Sequence, residues 1–472
     1  MKPSIIRYRI LLVLGLGTIG PITTHAQSIA LGGGHGIAIC ADSTVLTWGW
    51  NLSAQLGRGF YTLTGDCQCF TYAAPVDYLD SVVAVAAGDY HTTVLRSDGT
   101  VRNWGLGASG QMGYGFYPGG TCTCATNPVQ PAGLPPIRRI AAGSDHTLGL
   151  AADSTVWAWG SNSNGQLGDG IGFATPLPVH VVGLEHVVAI GAGERHSLAV
   201  KDDGSVWAWG ENDEGQLGDT THADRNAPVQ VIGLTDVVAV TGGWKHSVAL
   251  KSDGTVWGWG INNYDQLQHA QVTDTAVAIQ IPGISDVRSI ASGWYHVAVV
   301  KNDSTVWSWG GGFEGEMGDG TNENMVHAPR QADGLNGVVE ISAKRNATLA
   351  LKSDGSLRGW GYNYYGQLCD NTRLNKNTPT PTFNVCPAAI ALQAGDGDRP
   401  EPWRAAPNPF TDRITVPMTG TVRFRLLSLA GKVVRSGTTT NGDIAAGDLP
   451  GGCYVLEVSS ATGTERVRIV KQ

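Results

Sequence analysis

The sequence predicts an all-β protein: a seven-bladed β-propeller followed by a small β-sandwich domain. Two observations carry this prediction. A phrase of about fifty residues recurs seven times, and glycine supplies 65 of the 472 residues while charged residues make up only 15%. Coiled coils and helical bundles need many Ala, Glu, Lys and Leu, so this composition excludes them. The glycines have no triplet period, which excludes collagen, and 15 tryptophans argue against disorder.

The recurring phrase has fixed landmarks. Each copy carries an apolar segment that leads to a histidine position, and a Trp-Gly pair whose tryptophan follows that position by 13 residues. The histidine positions lie 50 to 56 residues apart and are His35, His91, His146, His196, His246, His296 and Ala347. The tryptophans are Trp48, Trp104, Trp159, Trp209, Trp259, Trp309 and Trp360. Constant spacing over seven copies indicates one structural unit per copy.

Each copy is expected to form four short strands. In the fourth copy we place them at residues 187–192, 196–201, 205–209 and 228–232, with an Asp-Gly hairpin turn. A lone four-stranded sheet cannot bury both faces, whereas blades stacked around an axis can, and radial closure leaves no long edges. No Pro-Val strand precedes Ser28. We therefore expect residues 378–385 to pair beside the first copy and complete the terminal blade.

Both ends of the chain differ from the repeats. Residues 1–26 begin with Lys2, Arg7 and Arg9, continue with an apolar run, and end in Thr-His-Ala, which predicts a cleaved secretory signal peptide rather than a membrane anchor. No later stretch is long and apolar enough to span a membrane. Residues 27–386 form the predicted propeller, 387–406 a Gly- and Pro-containing linker, and 407–472 a domain of short alternating strands, the predicted β-sandwich.

The repeat resembles the regulator of chromosome condensation repeat. The fourth copy carries the likeness in Ile190-Gly-Ala-Gly-Glu-Arg-His196, in Asp203-Gly-Ser-Val-Trp-Ala-Trp-Gly210 and in Gly215-Gln-Leu-Gly-Asp219. The resemblance covers roughly residues 28–386. It implies a seven-bladed propeller from a family that includes a nuclear nucleotide-exchange factor, modules of larger regulatory proteins and secreted bacterial enzyme inhibitors. What these members share is protein binding.

The tail is similar to the type A C-terminal sorting domain of the type IX secretion system. The likeness lies in Pro407-Asn-Pro-Phe410, Leu429-Ala-Gly-Lys-Val-Val434, the Asp448–Leu456 segment and Arg468-Ile-Val-Lys471. It implies a Bacteroidota-type bacterium, export through the periplasm and across the outer membrane, and the type IX machinery as a partner. The product would be secreted or held at the cell surface. The alternative is a fibronectin-like module that stays attached.

Eight cysteines in an exported chain suggest disulfides. Cys67 and Cys69 occupy the same place in the first copy as Cys122 and Cys124 in the second, so a pair of cross-blade disulfides is preferred. Local bridges and a four-thiolate zinc site are the alternatives. Cys369 and Cys386 are expected to bridge within the last blade. Cys40 and Cys453 have no evident partner.

The recurrent polar residues are interpreted as structural. One histidine per blade, about fifty residues from the next, places these rings around a circle rather than at one point. We expect each to tie a turn to the neighbouring blade, and the Trp-Gly tryptophans to pack between blades. The repeated aspartates are typical of turns, so we expect no metal, no cofactor and no catalytic residues. Residues 27–400 carry a net charge of −14, which disfavours nucleic acid and anionic membranes.

Residues that vary between copies are the candidates for specificity. One set precedes the histidine positions and the other follows Trp-Gly, both at strand ends that should meet at one mouth of the channel. Tryptophan, tyrosine and arginine dominate binding hot spots. The alternative is that these residues only pack loops together. The candidate binding residues are Tyr90, Asp145, Glu194, Arg195, Trp244, Lys245, Trp294, Tyr295, Arg345, Tyr264, Phe313, Tyr362 and Tyr364.

The leading hypothesis is a secreted or surface-displayed module that binds a protein, or alternatively a glycan, through this face. A specific version is an inhibitor of an extracellular enzyme. The rival class is a propeller hydrolase or lyase, which would need convergent carboxylates from Asp89, Asp145, Glu194, Glu211 and Asp213. Guanine-nucleotide exchange is disfavoured, because export separates the chain from cytosolic GTPases.

Overall fold

The computed structural model describes residues 26–61, 69–115, 123–269, 271–383 and 385–386, together with six strands and short segments between residues 413 and 471. The chain divides into two compact units, one ending at Ala391 and one beginning at Leu392, which are treated separately below. Throughout these ranges the regular structure is β-strand.

The first unit contains seven four-stranded antiparallel sheets, and each is built from four consecutive strands of one copy. The first three blades are β1 Ala26–Leu31, β2 His35–Cys40, β3 Val45–Gly49, β4 Phe70–Pro75; β5 Val82–Ala87, β6 His91–Arg96, β7 Val101–Leu106, β8 Cys124–Val129; β9 Ile137–Ala142, β10 His146–Ala151, β11 Val156–Gly160, β12 Thr175–His180. The next two are β13 Val187–Ala192, β14 His196–Lys201, β15 Val206–Gly210, β16 Arg225–Gln230; β17 Val237–Gly242, β18 His246–Lys251, β19 Val256–Ile261, β20 Asp274–Gln280. The last two are β21 Val287–Ser292, β22 His296–Lys301, β23 Val306–Gly310, β24 Val326–Gln331; β25 Val338–Lys344, β26 Ala347–Lys352, β27 Leu357–Gly361, β28 Lys376–Pro381. The seven-bladed propeller is confirmed.

The blades are arranged around a central channel. The first strands of neighbouring blades pack against one another, including β25 of the last blade against β1 of the first, so these strands form the inner wall. Because the strands alternate in direction, the turn after each first strand and the connection after each third strand lie on the same face. The fully buried Trp-Gly tryptophans occupy apolar clusters that each span two adjacent blades.

Side-chain hydrogen bonds join each blade to the next. The His196 ring meets the Ser247 hydroxyl of the following blade at 2.9 Å, and Ser247 donates to the carbonyl of Gln216 at 2.8 Å. Trp259 donates from its indole to the same carbonyl at 2.8 Å. The predicted inter-blade contact is thereby confirmed for five of the six histidines, and the packing of the tryptophans between blades is confirmed. Burial lowers the pKa of His196 to about 3, so the ring is neutral.

One histidine breaks this pattern. Neither ring nitrogen of His246 has a hydrogen-bond partner among the described residues, because Val297 occupies the hydroxyl position in the next blade. In the last blade Ala347 replaces the histidine, and the glycine three residues before it becomes Lys344. Elsewhere that glycine is required, since a Cβ on Gly193 would lie 2.0 Å from Cε1 of His196. Loss of the ring therefore makes room for the lysine.

The predicted seam is wrong. Residues 378–381 belong to β28, which pairs with β27 in the seventh blade, and the first blade is complete with its own β4. In every copy the fourth strand follows Trp-Gly, and it contains proline in all copies except the fifth. The longer connection in the first copy obscured the equivalent strand, Phe70–Pro75.

The ring closes through side chains and a covalent bond instead. Trp48 of the first blade donates to the carbonyl of Gln367 in the seventh at 2.8 Å, which repeats the contact made between other blades. The backbone amide of Ile29 donates to Glu340 at 3.1 Å. Cys40 and Cys386 form a disulfide across the same seam, with Cα atoms 5.3 Å apart.

This disulfide corrects two cysteine predictions. Cys40 has a partner, and Cys386 bonds to it rather than to Cys369, which is a buried free thiol. Cys69 and Cys124 are both disulfide-bonded, which excludes a four-thiolate zinc site. Cys67 and Cys122 lie outside the described residues, so the preferred cross-blade pairing stays a prediction. Cys453 lies in β33, described below.

The second unit forms two antiparallel sheets. One pairs β29 Arg413–Thr415 with β32 Asp443–Ala445, and the other has the order β31-β30-β33-β34 with β30 Val422–Ser428, β31 Val433–Thr439, β33 Gly452–Ser460 and β34 Gly463–Lys471. Ile414 and Ile444 of the small sheet share a core with Leu426 and Leu456 of the large one. Strand β32 was not predicted from the sequence. Residues 387–412 lie outside the described part, so the linker and domain boundaries stay predictions.

Candidate binding site at the channel mouth

A series of backbone hydrogen bonds, running from the first blade to the seventh, fixes the residues around one mouth of the channel. The amide of Asp89 donates to the carbonyl of Ser144 at 2.9 Å, and that of Ser144 donates to Glu194 at 3.0 Å. The same link continues from Trp294 to Arg345 at 2.7 Å. Each bond joins the turn after one blade's first strand to the same turn of the next blade. The side chains of these turns are therefore held in register by the main chain.

An ion pair crosses the mouth from the seventh blade to the second. Arg345 Nη2 lies 2.6 Å from Oδ2 of Asp89, whose side chain is 3% exposed. Gly33 of the first blade lies beneath the pair, and a Cβ there would come within 2.9 Å of Arg345 Nε. Arg345 also lies 4.6 Å from the Trp294 ring centroid. Arg345 adopts a φ of +48°, a conformation that costs a non-glycine residue free energy and is concentrated at functional sites.

Aromatic rings occupy the mouth on both sides of Arg345. Towards the fifth and sixth blades, Tyr295 lies 5.5 Å from Trp244 and 4.7 Å from Tyr264, measured between ring centroids. Phe313 continues this group, and its ring centroid lies 6.1 Å from that of Tyr264. Trp244, Trp294 and Tyr295 are half-buried. They present fixed aromatic surface that remains accessible.

A second aromatic group lies towards the first and second blades. Trp50 stacks on Tyr365 at 4.6 Å and meets the edge of Tyr90 at 5.5 Å. Tyr362 and Tyr364 continue outwards from Tyr365, at 6.0 and 5.3 Å. Together with Arg345, the two groups form an arc over the fifth, sixth, seventh, first and second blades, which we call the aromatic arc.

Carboxylates fill the rest of the mouth, on the second, third and fourth blades. Asp145 accepts from the Gln111 amide at 3.1 Å, and Glu211 lies 3.6 Å from Arg195. Asp213 is paired with Lys245. We call Asp145 and Glu194, with their paired neighbours, the acidic arc.

Burial alters the protonation of this arc. It raises the pKa of Glu194 to about 7, with a further contribution from the Asp89 charge, and raises the pKa of Asp145 for the same two reasons. Burial also raises the pKa of Glu211. Oδ1 of Asp89 and one carboxylate oxygen each of Glu194 and Glu211 accept no hydrogen bond from the described residues.

The structure places all thirteen candidate residues on this one face. Tyr362 and Tyr364 lie at its periphery, and Arg195 and Lys245 are already engaged by carboxylates of the same face. Sequence reasoning left Lys344 out, although its charge opposes the rise in the pKa of both Asp145 and Glu194. The exchange of Gly-x-x-His for Lys-x-x-Ala in the seventh copy was the signal that could have found it.

The buried histidines do not form a common site. Five of the six are bonded to a hydroxyl of the following blade, as in the contact of His35 with Thr92 at 2.8 Å. Among the described residues, no three His, Cys, Asp or Glu side chains are grouped so that they could hold a metal ion. Over the same residues, no helix has the length and apolarity to cross a membrane.

Seven blades of one repeated four-strand unit, closed around a channel, define a repeat-built β-propeller. Residues 18–343 match the RCC1-like domain and residues 338–367 match the regulator of chromosome condensation (RCC1) repeat. The first match covers more than half of the chain, and the chain belongs to the RCC1-like domain family. Residues 405–472 match the secretion system C-terminal sorting domain, which indicates a chain destined for secretion or the cell surface by the type IX machinery.

Relatives and solved structures agree with this assignment. Human probable E3 ubiquitin-protein ligase HERC6 is 31% identical over 147 residues, covering 31% of this chain and 14% of that protein. The ultraviolet-B receptor UVR8 of Arabidopsis thaliana is 30% identical over 145 residues, covering 30% of this chain and 31% of the receptor. The chain thus spans less than a third of either relative.

Two solved structures share the fold. Human WBSCR16 superposes with a TM-score of 0.63 at 24% identity, covering 72% of this chain and 94% of that one. Yeast RCC1 (Prp20), in its complex with Kap60, gives 0.65 at 19% identity, covering 82% and 92%. At these identities the likeness concerns the fold.

Proposed function

We propose that this protein is an exported binding module that captures another protein through the channel mouth. The observation that carries the proposal is the aromatic arc, in which half-buried Trp244, Trp294 and Tyr295 are positioned by main-chain hydrogen bonds of the mouth turns. Rigid, partly exposed aromatic side chains bind with little loss of conformational entropy, and they are the usual anchors of protein interfaces. The sorting domain supports a site of action outside the cell.

An inhibitor of an extracellular enzyme is a specific form of this proposal. It requires that the captured protein be an enzyme and that its activity fall in proportion to the occupied fraction. The ligase activity in the name of HERC6 is not part of the proposal, because the similarity covers 14% of that protein.

A capture experiment tests the proposal. The full mature chain is immobilised and exposed to surface and culture proteins of its source community, beside the Trp244→Ala/Trp294→Ala/Tyr295→Ala variant. A matched control is Tyr72→Ala/Tyr78→Ala/Phe383→Ala, which removes three exposed aromatic side chains away from the mouth. A protein held by the wild type and the control but released by the mouth variant supports the proposal. Equal retention by all three chains refutes this site.

A further inference from the structure

Two carboxylates at the mouth lack an ionic partner. Among the described residues, Asp89 pairs with Arg345, Glu211 with Arg195 and Asp213 with Lys245, whereas Asp145 and Glu194 have no cationic group within 4.0 Å. Asp145 and Glu194 belong to adjacent blades, and the turns that carry them are joined by the backbone bond from Ser144 to Glu194. Two carboxylates on neighbouring turns are therefore left without a counter-ion among the described residues.

Buried carboxylate oxygens in this part of the mouth lack a hydrogen-bond donor. Oδ1 of Asp89, whose side chain is 97% buried, accepts nothing from the described residues, and Oε2 of Glu194 is in the same state. A buried acceptor without a donor costs free energy, so a ligand that brings N–H groups recovers it. The unpaired buried donors of the mouth loops include the Trp294 indole N–H and the side-chain amides of Gln55 and Gln266, which belong to the first, fifth and sixth blades rather than to the third and fourth. An anionic ligand would meet repulsion instead.

The aromatic arc faces these carboxylates and already accommodates cations. Lys245 Nζ lies 5.2 Å from the centroid of the Trp244 ring, and the Arg345 guanidinium lies 4.6 Å from the centroid of the Trp294 ring. The Glu194 charge reaches Tyr295 and contributes to raising the pKa of that phenol, after burial. The Glu194 charge therefore acts on the aromatic side of the mouth. Aromatic faces and carboxylates favour the same ligand, a cation on an aliphatic stem.

We propose that the mouth recognises a basic protein segment, which places a lysine or arginine head between Asp145 and Glu194 and its aliphatic stem on Trp244 and Trp294. The inference rests on the proposed binding function and names the chemistry of its partner. The net charge of −14 on residues 27–400 would also attract such a segment from a distance. A cationic head satisfies the free acceptors, which an acidic segment cannot do.

The proposal carries a pH signature. The groups that act on Glu194 are Asp89, which raises its pKa, and Lys344, Arg195 and Arg345, which lower it; the balance with burial gives about 7. A cation binds the ionised form, so protons compete with it below that pH. Binding should weaken by about tenfold between pH 8 and pH 6 from this one group.

Synthetic peptides test the proposal directly. The probe is an array of blocked fifteen-residue peptides in which a central Lys or Arg is replaced pairwise by Gln or Glu, with a neutral glycan array beside it. The tested chains are the full mature protein, Asp145→Asn/Glu194→Gln at the mouth, and Glu185→Gln/Asp202→Asn as a charge-matched control on exposed positions of the fourth blade. Thermal unfolding verifies that all three are folded.

The expected result is preferential binding of cationic peptides, with at least tenfold loss in the mouth variant, no loss in the control, and weakening from pH 8 to pH 6. Equal binding of Lys and Gln peptides overturns the inference, and so does retention by the mouth variant. A different outcome is that neutral peptides, acidic peptides or glycans bind to the wild type but not to Trp244→Ala/Trp294→Ala/Tyr295→Ala. That result overturns the inference about a basic segment, but it shows that the mouth binds ligands. The capture experiment decides the proposed protein-binding function separately.

Discussion

A buried glutamate in the sixth blade should weaken the propeller at neutral pH. Glu316 is fully buried at the position where every other copy has glutamine, in the loop that follows Trp-Gly. One carboxylate oxygen accepts from the amide of Glu314 at 2.7 Å, as the glutamines do in their own loops. A glutamine would present an NH₂ group where Glu316 has its second oxygen. Substitution Glu316→Gln therefore restores the repeat without changing the shape of the side chain.

The magnitude follows from proton linkage. Burial raises the pKa of Glu316 to about 8, against 4.5 for the ordinary carboxyl of the unfolded chain. A carboxyl with a raised folded pKa destabilises the fold as pH rises above 4.5, and the penalty levels off above 8. At pH 7 the penalty is about 3 kcal/mol, from roughly 1.4 kcal/mol for each of about 2.5 pH steps. Removing this penalty from a folding unit of this size should raise the Tm by about 4 °C in the Glu316→Gln variant.

Thermal and urea unfolding at pH 5, 7 and 8.5, followed by tryptophan fluorescence, measure this effect. The gain of Glu316→Gln should be small at pH 5 and largest at pH 8.5. The reciprocal variant Gln266→Glu should acquire the same penalty in the fifth blade, where Gln266 is fully buried. Exposed Glu185→Gln should change nothing. A gain that is the same at all three pH values, or no gain, would refute the reasoning.

Three further outcomes are expected. Replacing both Cys40 and Cys386 by serine should lower the free energy of unfolding by up to about 5 kcal/mol, because the bond closes a loop of more than three hundred residues. Limited proteolysis near the seam, compared with that of the reduced wild type, measures this loss of stability. Gly33→Ala should displace Arg345 and reduce ligand capture at the mouth, with a loss of stability of about 2 kcal/mol in urea; unchanged capture contradicts the assigned contact. Removal of residues 407–472 should keep the chain out of the medium and off the cell surface, as read by cell fractionation, and normal export would show that the tail is dispensable.

Most of the fold could be predicted from the repeat pattern. The spacing of histidine and tryptophan predicted the number of blades and the inter-blade role of both residues, because these contacts recur in the same register. The partner of Cys40 escaped prediction, since Cys386 is 346 residues away and only ring closure brings the two together. The fourth strand of the first blade was not predicted because a long connection separates it from the third strand.

The sequence predicted which face of the propeller carries the candidate site, but not the contacts between the residues of that site. Strand direction alone placed Trp244 and Glu194 at the same mouth. The ion pair between Asp89 and Arg345 joins blades that are not neighbours, and no periodicity indicates such a contact. Lys344 was hidden because it replaces a scaffold glycine. Departures from a repeat at its fixed positions therefore merit the same scrutiny as its variable loops.

The seam links the architecture to the route of export. Among the described residues, no sheet hydrogen bonds cross from the last blade to the first, so the covalent bond of Cys40 with Cys386 takes the part that a shared strand would play. Cysteines stay reduced in the cytoplasm and oxidise in the periplasm. On the proposed export route, a chain awaiting translocation therefore lacks this disulfide. The bond forms in the compartment that the chain enters, so the redox chemistry of that compartment sets when the propeller is closed covalently.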